Sequence, residues 1–228
     1  MTKLLIFFLV ATVLLCASFG SAEPQAHQKP IRVAIVLYDG VQVLDVAGPL
    51  EVFTTSSIDT NGKSVPAFDV YMVSETLDPV KANNNGNVYI PKYALADAPA
   101  PEILIVPGGD TTRAESNSHL IDWIRKTSEK TEVTASVCTG AFLLAKAGLL
   151  NKKPATTHWY FLDRLTKEFP EIDVKREVRF VDSGKIVTSA GISAGIDMAL
   201  HLVKRLYGQD TAQLTAKIMQ YDGQNWMQ

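Results

Sequence analysis

Apolar and polar positions along this chain fall into two alternating rhythms. Short, β-branched, nearly continuous apolar runs occur at Ile31 to Tyr38 (IRVAIVLY), Glu102 to Gly109 (EILIVPGG) and in VTASV just before Cys138. Such runs suit strands covered on both faces of a parallel sheet. Between and after them, GPLEVFTTSS, SHLIDWIRKTSEK, GAFLLAKAGLL, WYFLDRLTKEF and SAGIDMALHLVKRLYG carry apolar residues at helical spacing. Pro49 suits the first turn of the first of these helices, and Ser118 and Ser193 suit N-caps. VRFVDSGKIVTSA reads as a hairpin through Asp182-Ser183-Gly184, and the polar cluster Asn83 to Asn87 as another hairpin turn. The alternation predicts a doubly wound α/β fold.

In such folds ligands collect outside the carboxyl ends of the strands. Three segments reach that rim: Asp39 to Pro49, Pro107-Gly108-Gly109, and Cys138-Thr139-Gly140. A residue at a sharp strand-to-helix turn has its side chain forced outward. The free N–H groups of the following helix then favour a negative charge beside it. Cys138 is therefore expected to be an accessible thiol of lowered pKa. The competing expectation is a small buried hydrophobe, since free cysteine is among the most buried residue types.

The amino terminus decides which compartment that thiol meets. Met1 to Ala22 carries one early cation at Lys3, an apolar run from Leu4 to Leu15, and the small residues Gly20-Ser21-Ala22 before Glu23. This is the layout of a secretory signal peptide over residues 1–22. A run of twelve residues is short of the ~20 that a membrane helix needs, so no membrane anchor is expected after cleavage. A lipoprotein would use Cys16, but Leu15 stands where a small residue is wanted. Removing 22 of 228 residues leaves 206, a flexible leader at 23–30 and one domain at 31–228, with Cys138 the sole cysteine. An exported, periplasmic or secreted chain with one unpaired cysteine must bury it or use it.

Composition narrows the function classes. The formal net charge is −2, and no Lys/Arg block departs from short helix faces, so nucleic acid is not an expected partner. Four histidines are scattered singly, without paired spacing, and no protein-held metal or other cofactor is expected.

Four ordered stretches, VLDVAGPLEVF, ILIVPGG, SVCTGAFLLAKAGLLNKKPATTHW and TSAGISAGIDMALHLV, resemble the ThiJ/PfpI superfamily of class I glutamine amidotransferase-like domains. Within it they are most similar to the branch that holds isonitrile hydratase and the sensor domains of AraC-type regulators. The resemblance runs from about Ile31 to Tyr221. It implies a flavodoxin-like sandwich with a cysteine on a nucleophile elbow, usually as a homodimer. Cys138 matches the elbow nucleophile and Asp45 the acidic residue beside it. Thr139 and Gly109, with Gly108 next to it, match the oxyanion and substrate-binding pocket. Thr139 stands where peptidase-like members carry a histidine, and VTSAGIS lacks the amidotransferase His-x-Glu pair. Protease and amidotransferase activities are therefore not expected.

His158, in TTHW, reads either as an auxiliary base or as a packing residue at a strand end, His201 as structural or at a dimer surface, and Asp197 as a first-turn helix residue favoured by the local dipole. A carboxylate and a thiolate a few ångströms apart repel, so Asp45 and Cys138 should share one proton and titrate as a unit. With the thiolate anionic and the carboxyl protonated, the pair supplies a nucleophile and an acid for addition to a small electrophile. An isonitrile or methylglyoxal would serve. The alternative is a ligand-binding or stress-response module without turnover. No helix-turn-helix segment is expected before Gln228, which speaks against transcriptional control. Amino-terminal sequencing of protein from its native host should begin at Glu23; a mature chain that still starts at Met1 contradicts the export reading.

Overall fold

The computed structural model describes residues 29–83 and 86–227. The expected signal peptide at 1–22, Cys16 within it and most of the expected leader lie outside the described residues. A seven-stranded sheet forms the centre. In chain order its surroundings are β1 (Ile31–Val36), α1 (Val43–Thr55), β2 (Phe68–Ser74), β3 (Tyr93–Ala94), β4 (Ile103–Val106), α2 (Ser118–Lys130), β5 (Val133–Val137), α3 (Gly140–Lys146), α4 (Leu162–Glu168), β6 (Phe180–Asp182), β7 (Ile186–Ser189), α5 (Ala194–Tyr207) and α6 (Gln209–Ile218). The spatial order is β6-β7-β5-β4-β1-β2-β3, parallel throughout except for the β6–β7 hairpin.

This order places the site. From β1 the chain passes through α1 to β2 on one side, whereas from β4, β1's other neighbour, it passes through α2 to β5 on the opposite side. Right-handed crossovers running in opposite directions put their helices on opposite faces of the sheet. The carboxyl ends of β1 and β4 therefore flank the crevice where the winding reverses. Helices α1, α5 and α6 pack on one another, and α2 packs on α3. Both faces of these strands are covered, and β4 and β5 are buried at every residue, the Thr134 and Ser136 hydroxyls of β5 included.

Several local readings are corrected. The first helix begins at Val43, so Pro49 lies inside it and forgoes the bond to the Asp45 carbonyl that an amide would make. Gln42 starts this helix with its N–H on the Gly108 carbonyl, 2.8 Å away, a tertiary contact that no local pattern announces. Asp45 thus stands on the first turn of a helix and not in a loop. Asn117, not Ser118, caps α2, accepting the Leu120 N–H at 3.1 Å, and Ser193 precedes α5 without a side-chain cap bond. Helix α6 was not expected from the pattern. Its buried face is made of Ala212, Thr215 and Ala216 while Leu214 and Ile218 are exposed, so no apolar stripe shows. The two expected hairpins are present, as β6–β7 and as Val80–Lys81 against Val88–Tyr89, with residues 84–85 at the second tip outside the described residues.

Gly140 fixes how closely α3 approaches the sheet, because a Cβ there would overlap the Val106 carbonyl oxygen. Gly148, after α3, has φ 77° and open space around it. Gly140→Ala should therefore cost roughly 3 kcal/mol or more in urea unfolding, and Gly148→Ala only about 1 kcal/mol from its backbone. Equal costs would contradict this account of the elbow's packing.

Candidate functional site

The three rim segments meet as the topology requires. Cys138 follows β5 directly and has φ 57°, a left-handed conformation uncommon for a residue with a Cβ. Its N–H donates to the carbonyls of Ser189 and Ala190 at 3.1 and 3.2 Å, while its own carbonyl accepts the Thr157 hydroxyl at 2.7 Å. The turn is thus held from β7 and from the segment before α4. Asp45 reaches the same place from α1, and Gly108 from the end of β4. The Gly108 N–H donates to Asp45 Oδ2 at 3.0 Å. A Cβ at Gly108 would stand 2.5 Å from both the Thr139 nitrogen and its hydroxyl oxygen and 2.9 Å from Asp45 Oδ2. Only a residue without a side chain lets the three segments close up.

The thiol is buried, with 6% of its residue surface exposed, and Asp45 is fully buried. Burial pushes the Asp45 carboxyl up to about 7, against hydrogen bonds from Gly108 and Cys138 that pull it down. Its other oxygen, Oδ1, is buried without a hydrogen-bond partner. Burial, then the charge of Asp45, push the Cys138 thiol up to about 12, opposed by the N–H groups of Thr139 and Ile192 and by the Thr139 hydroxyl. The accessible, low-pKa thiol expected from the elbow position is therefore corrected. A helix terminus is worth ~0.3–1 kcal/mol, less than one pKa unit, whereas burial shifts a group by up to ~3–5 units. The Asp45 charge opposes the thiolate, and protonating Asp45 removes that opposition while the burial remains. Tyr38, after β1, closes the back of the pair: its hydroxyl donates to the Pro107 carbonyl at 2.8 Å, and burial with the Asp45 and Cys138 charges holds it protonated.

The expected oxyanion donors are arranged differently. The Gly109 N–H donates to the Thr139 hydroxyl at 2.8 Å, which in turn donates to the Gly109 carbonyl at 2.9 Å, and the Gly108 N–H serves Asp45. Both glycine amides are committed inside the protein. The amides that face the sulfur are those of Thr139 and Ile192. Sequence reasoning missed Ile192. It has φ 49°, which for a β-branched residue is a strained conformation, so its type gave no signal of the turn it makes. Thr157 was missed too, although it adjoins the His-Trp pair that drew notice.

His158 makes no hydrogen bond to Cys138 or Asp45. Its Nδ1 accepts the Tyr160 N–H at 3.3 Å, its ring packs on Trp159 and Phe161, and burial holds its pKa below the ordinary value. His201 Nε2 lies 2.8 Å from Asp182 Oδ2, far from the elbow in the fold. Asp197 is not merely a first-turn charge: it is fully buried, paired with Arg179 at 2.5 Å and accepts the Tyr221 hydroxyl at 3.0 Å. Among the described residues no group of three or more His, Cys, Asp and Glu side chains could hold a metal ion, and no helix is long and apolar enough to cross a membrane.

The DJ-1/PfpI family model matches residues 31–205. The chain belongs to the DJ-1/PfpI family. An isonitrile hydratase of Pseudomonas putida is 35% identical over 192 residues, 84% of this chain and 78% of that protein. The transcriptional regulator CdhR of Pseudomonas aeruginosa is 34% identical over 110 residues, 48% of this chain but only 32% of the regulator. Among solved structures, a ThiJ/PfpI family protein from Pseudomonas syringae superposes with a TM-score of 0.76 at 28% identity, covering 90% of this chain and 84% of that one. The flavodoxin-like α/β sandwich of this family is what the sheet order describes.

Because the Asp45 charge raises the thiol, Asp45→Asn should lower the pH midpoint of iodoacetamide labelling of native protein, with faster labelling near neutrality. An unchanged or higher midpoint contradicts the coupling.

Proposed function

We propose that this chain is a cysteine-dependent hydratase that adds water to a small electrophile, an isonitrile, with Cys138 as nucleophile and Asp45 as proton shuttle. The observation that carries the reading is the buried Asp45–Cys138 pair with the neighbouring glycine amides committed elsewhere. Acyl transfer needs free N–H groups aimed at a developing oxyanion. Addition to an isonitrile needs instead a thiolate and an acid at one carbon, and this pair supplies both. The similarity to an isonitrile hydratase over most of both chains points the same way.

In the reactive protonation state Asp45 holds the proton and Cys138 is thiolate. Sulfur attacks the terminal carbon and Asp45 protonates that carbon, giving a thioimidate. Water then adds: Asp45, now a carboxylate, takes one of its protons and passes it to nitrogen as oxygen bonds to carbon. The new hydroxyl returns its proton to Asp45 as the carbon–sulfur bond breaks. An N-substituted formamide leaves, and thiolate and carboxylic acid are restored. Desolvation of the site favours a small, neutral substrate, since no charged group would be stabilised beside Asp45.

One observation favours a second reading. The thiol is nearly closed off, and a cavity of about 310 Å³ opens beside Tyr38, lined also by Glu75, Arg113 and Asn117 among others. A ligand-binding or stress-response module without turnover fits that burial. Export rests on the layout of residues 1–22, and assembly as a homodimer on the family resemblance; both are part of the proposal.

Purified protein should convert small isonitriles to formamides, or failing that methylglyoxal to lactate, without added metal or nucleotide. Cys138→Ala should abolish turnover, and Asp45→Asn should remove ~10²–10⁴-fold of it while labelling of the thiol speeds up. No Cys138-dependent turnover of either substrate class, with a small ligand still raising the melting temperature, establishes the binding module instead.

A further inference from the structure

His158 has no bond to the reacting groups, yet it touches the turn that serves them. The three atoms nearest to a Cβ built on Gly191 all belong to the His158 ring: Cδ2 overlaps it, Nε2 stands 2.9 Å away and Cγ 3.0 Å. Gly191 leads into Ile192, whose N–H faces the Cys138 sulfur and favours its thiolate. Ile192 holds that direction in a left-handed conformation, φ 49°. A strained backbone of this kind persists only where its surroundings over-determine it. From within the chain, the Ala194 N–H bonds the Gly191 carbonyl at 3.3 Å and the Gly195 N–H bonds the Ile192 carbonyl at 3.2 Å. From outside, the turn meets His158.

The imidazole is itself fixed. Tyr160 donates its N–H to Nδ1, and the rings of Trp159 and Phe161 lie 5.6 and 5.9 Å from it between centroids. Phe161 packs in turn on Phe142 of α3, the helix that Cys138 introduces, at 6.3 Å. The residue before His158 ties the same segment to the elbow, through the Thr157 hydroxyl on the Cys138 carbonyl. A closed circuit therefore runs from the elbow through Thr157 and His158 to Gly191-Ile192 and back to the sulfur.

We propose that His158 is a positioning residue for the nucleophile: the Cδ2–Nε2 edge of its ring sets the Gly191–Ile192 turn and so aims the Ile192 N–H at the Cys138 sulfur. The inference rests on Cys138 being the nucleophile, not on which electrophile it attacks. It assigns the imidazole a steric duty and no proton transfer, so a flat ring without nitrogens should replace it. The titrating groups that face the sulfur are Asp45 on α1 and Tyr38 after β1, and neither touches His158 through any hydrogen bond.

The test is iodoacetamide labelling of Cys138 in the native protein across pH, followed by mass spectrometry, with melting temperatures to confirm folding. Losing one hydrogen bond to a charged group is worth about a pKa unit. His158→Ala should therefore slow labelling at neutral pH about tenfold. His158→Phe should stay within about threefold of wild type. Gly191→Ala should slow labelling alone but add little on top of His158→Ala, because the removed ring leaves room for the methyl. An unaltered His158→Ala overturns the proposal, as does a His158→Phe that loses as much as His158→Ala, or full additivity of the two alanines. Wild-type protein that labels at Cys138 only after denaturation removes the nucleophile itself, a failure distinct from those.

Discussion

A carboxyl group buried against a thiol governs this site. Asp45 has no exposed surface, hydrogen bonds from the Gly108 N–H and the Cys138 thiol, and an Oδ1 with no partner, and its charge acts on Cys138. Burying an unpaired charge is expensive, so the group keeps its proton to about pH 7. The folded chain thus holds that proton more tightly than the unfolded one. The stability this brings is complete below the ordinary carboxyl range and is lost as pH rises through about 7. Two acids in one dry place can release one proton readily and the second only with difficulty, and that difference is the chemical resource of the site.

The fold exists in this form to bring the pair together. Strand β1 delivers α1 and Asp45, β4 delivers Gly108, and β5 delivers Cys138, all at the crevice where the winding of the sheet reverses. Two glycines permit the approach. Gly140 lets α3 settle on the Val106 carbonyl, and Gly108 lets the β4 end slide between Asp45 and Thr139. Thr139 then occupies the Gly109 amide with its hydroxyl. The same close packing that sets the carboxyl beside the thiol commits the Gly108 and Gly109 amides within the protein, and leaves the Thr139 and Ile192 N–H groups to face the sulfur.

Strands β1 and β4 could be read from the chain because burial on both faces leaves continuous apolar runs at Ile31–Val36 and Ile103–Val106, whereas β2 and β3, with partly exposed residues, were not read. The elbow showed in the passage from VTASV to Cys138-Thr139-Gly140, and Asp45 showed through the family likeness of LDVAGP. What escaped was set by partners distant in sequence. Helix α1 starts where Gln42 finds the Gly108 carbonyl, and the thiol is raised and not lowered because burial and the Asp45 charge act on it. Ile192 points its amide at the sulfur from a backbone conformation that isoleucine ordinarily avoids, and helix α6 buries small and polar residues in place of an apolar stripe. Local pattern carries periodicity and turns; it does not carry desolvation.

The proton on Asp45 tests the account most directly. Carbon-13 NMR of the Asp45 carboxyl, assigned by its loss in Asp45→Asn, should show a midpoint near the value of about 7 that burial imposes, and this midpoint should move higher in Cys138→Ala, where the thiol's hydrogen bond to the carboxylate is gone. A midpoint in the ordinary carboxylate range, indifferent to the presence of the thiol, would contradict the shared proton on which the proposed chemistry depends.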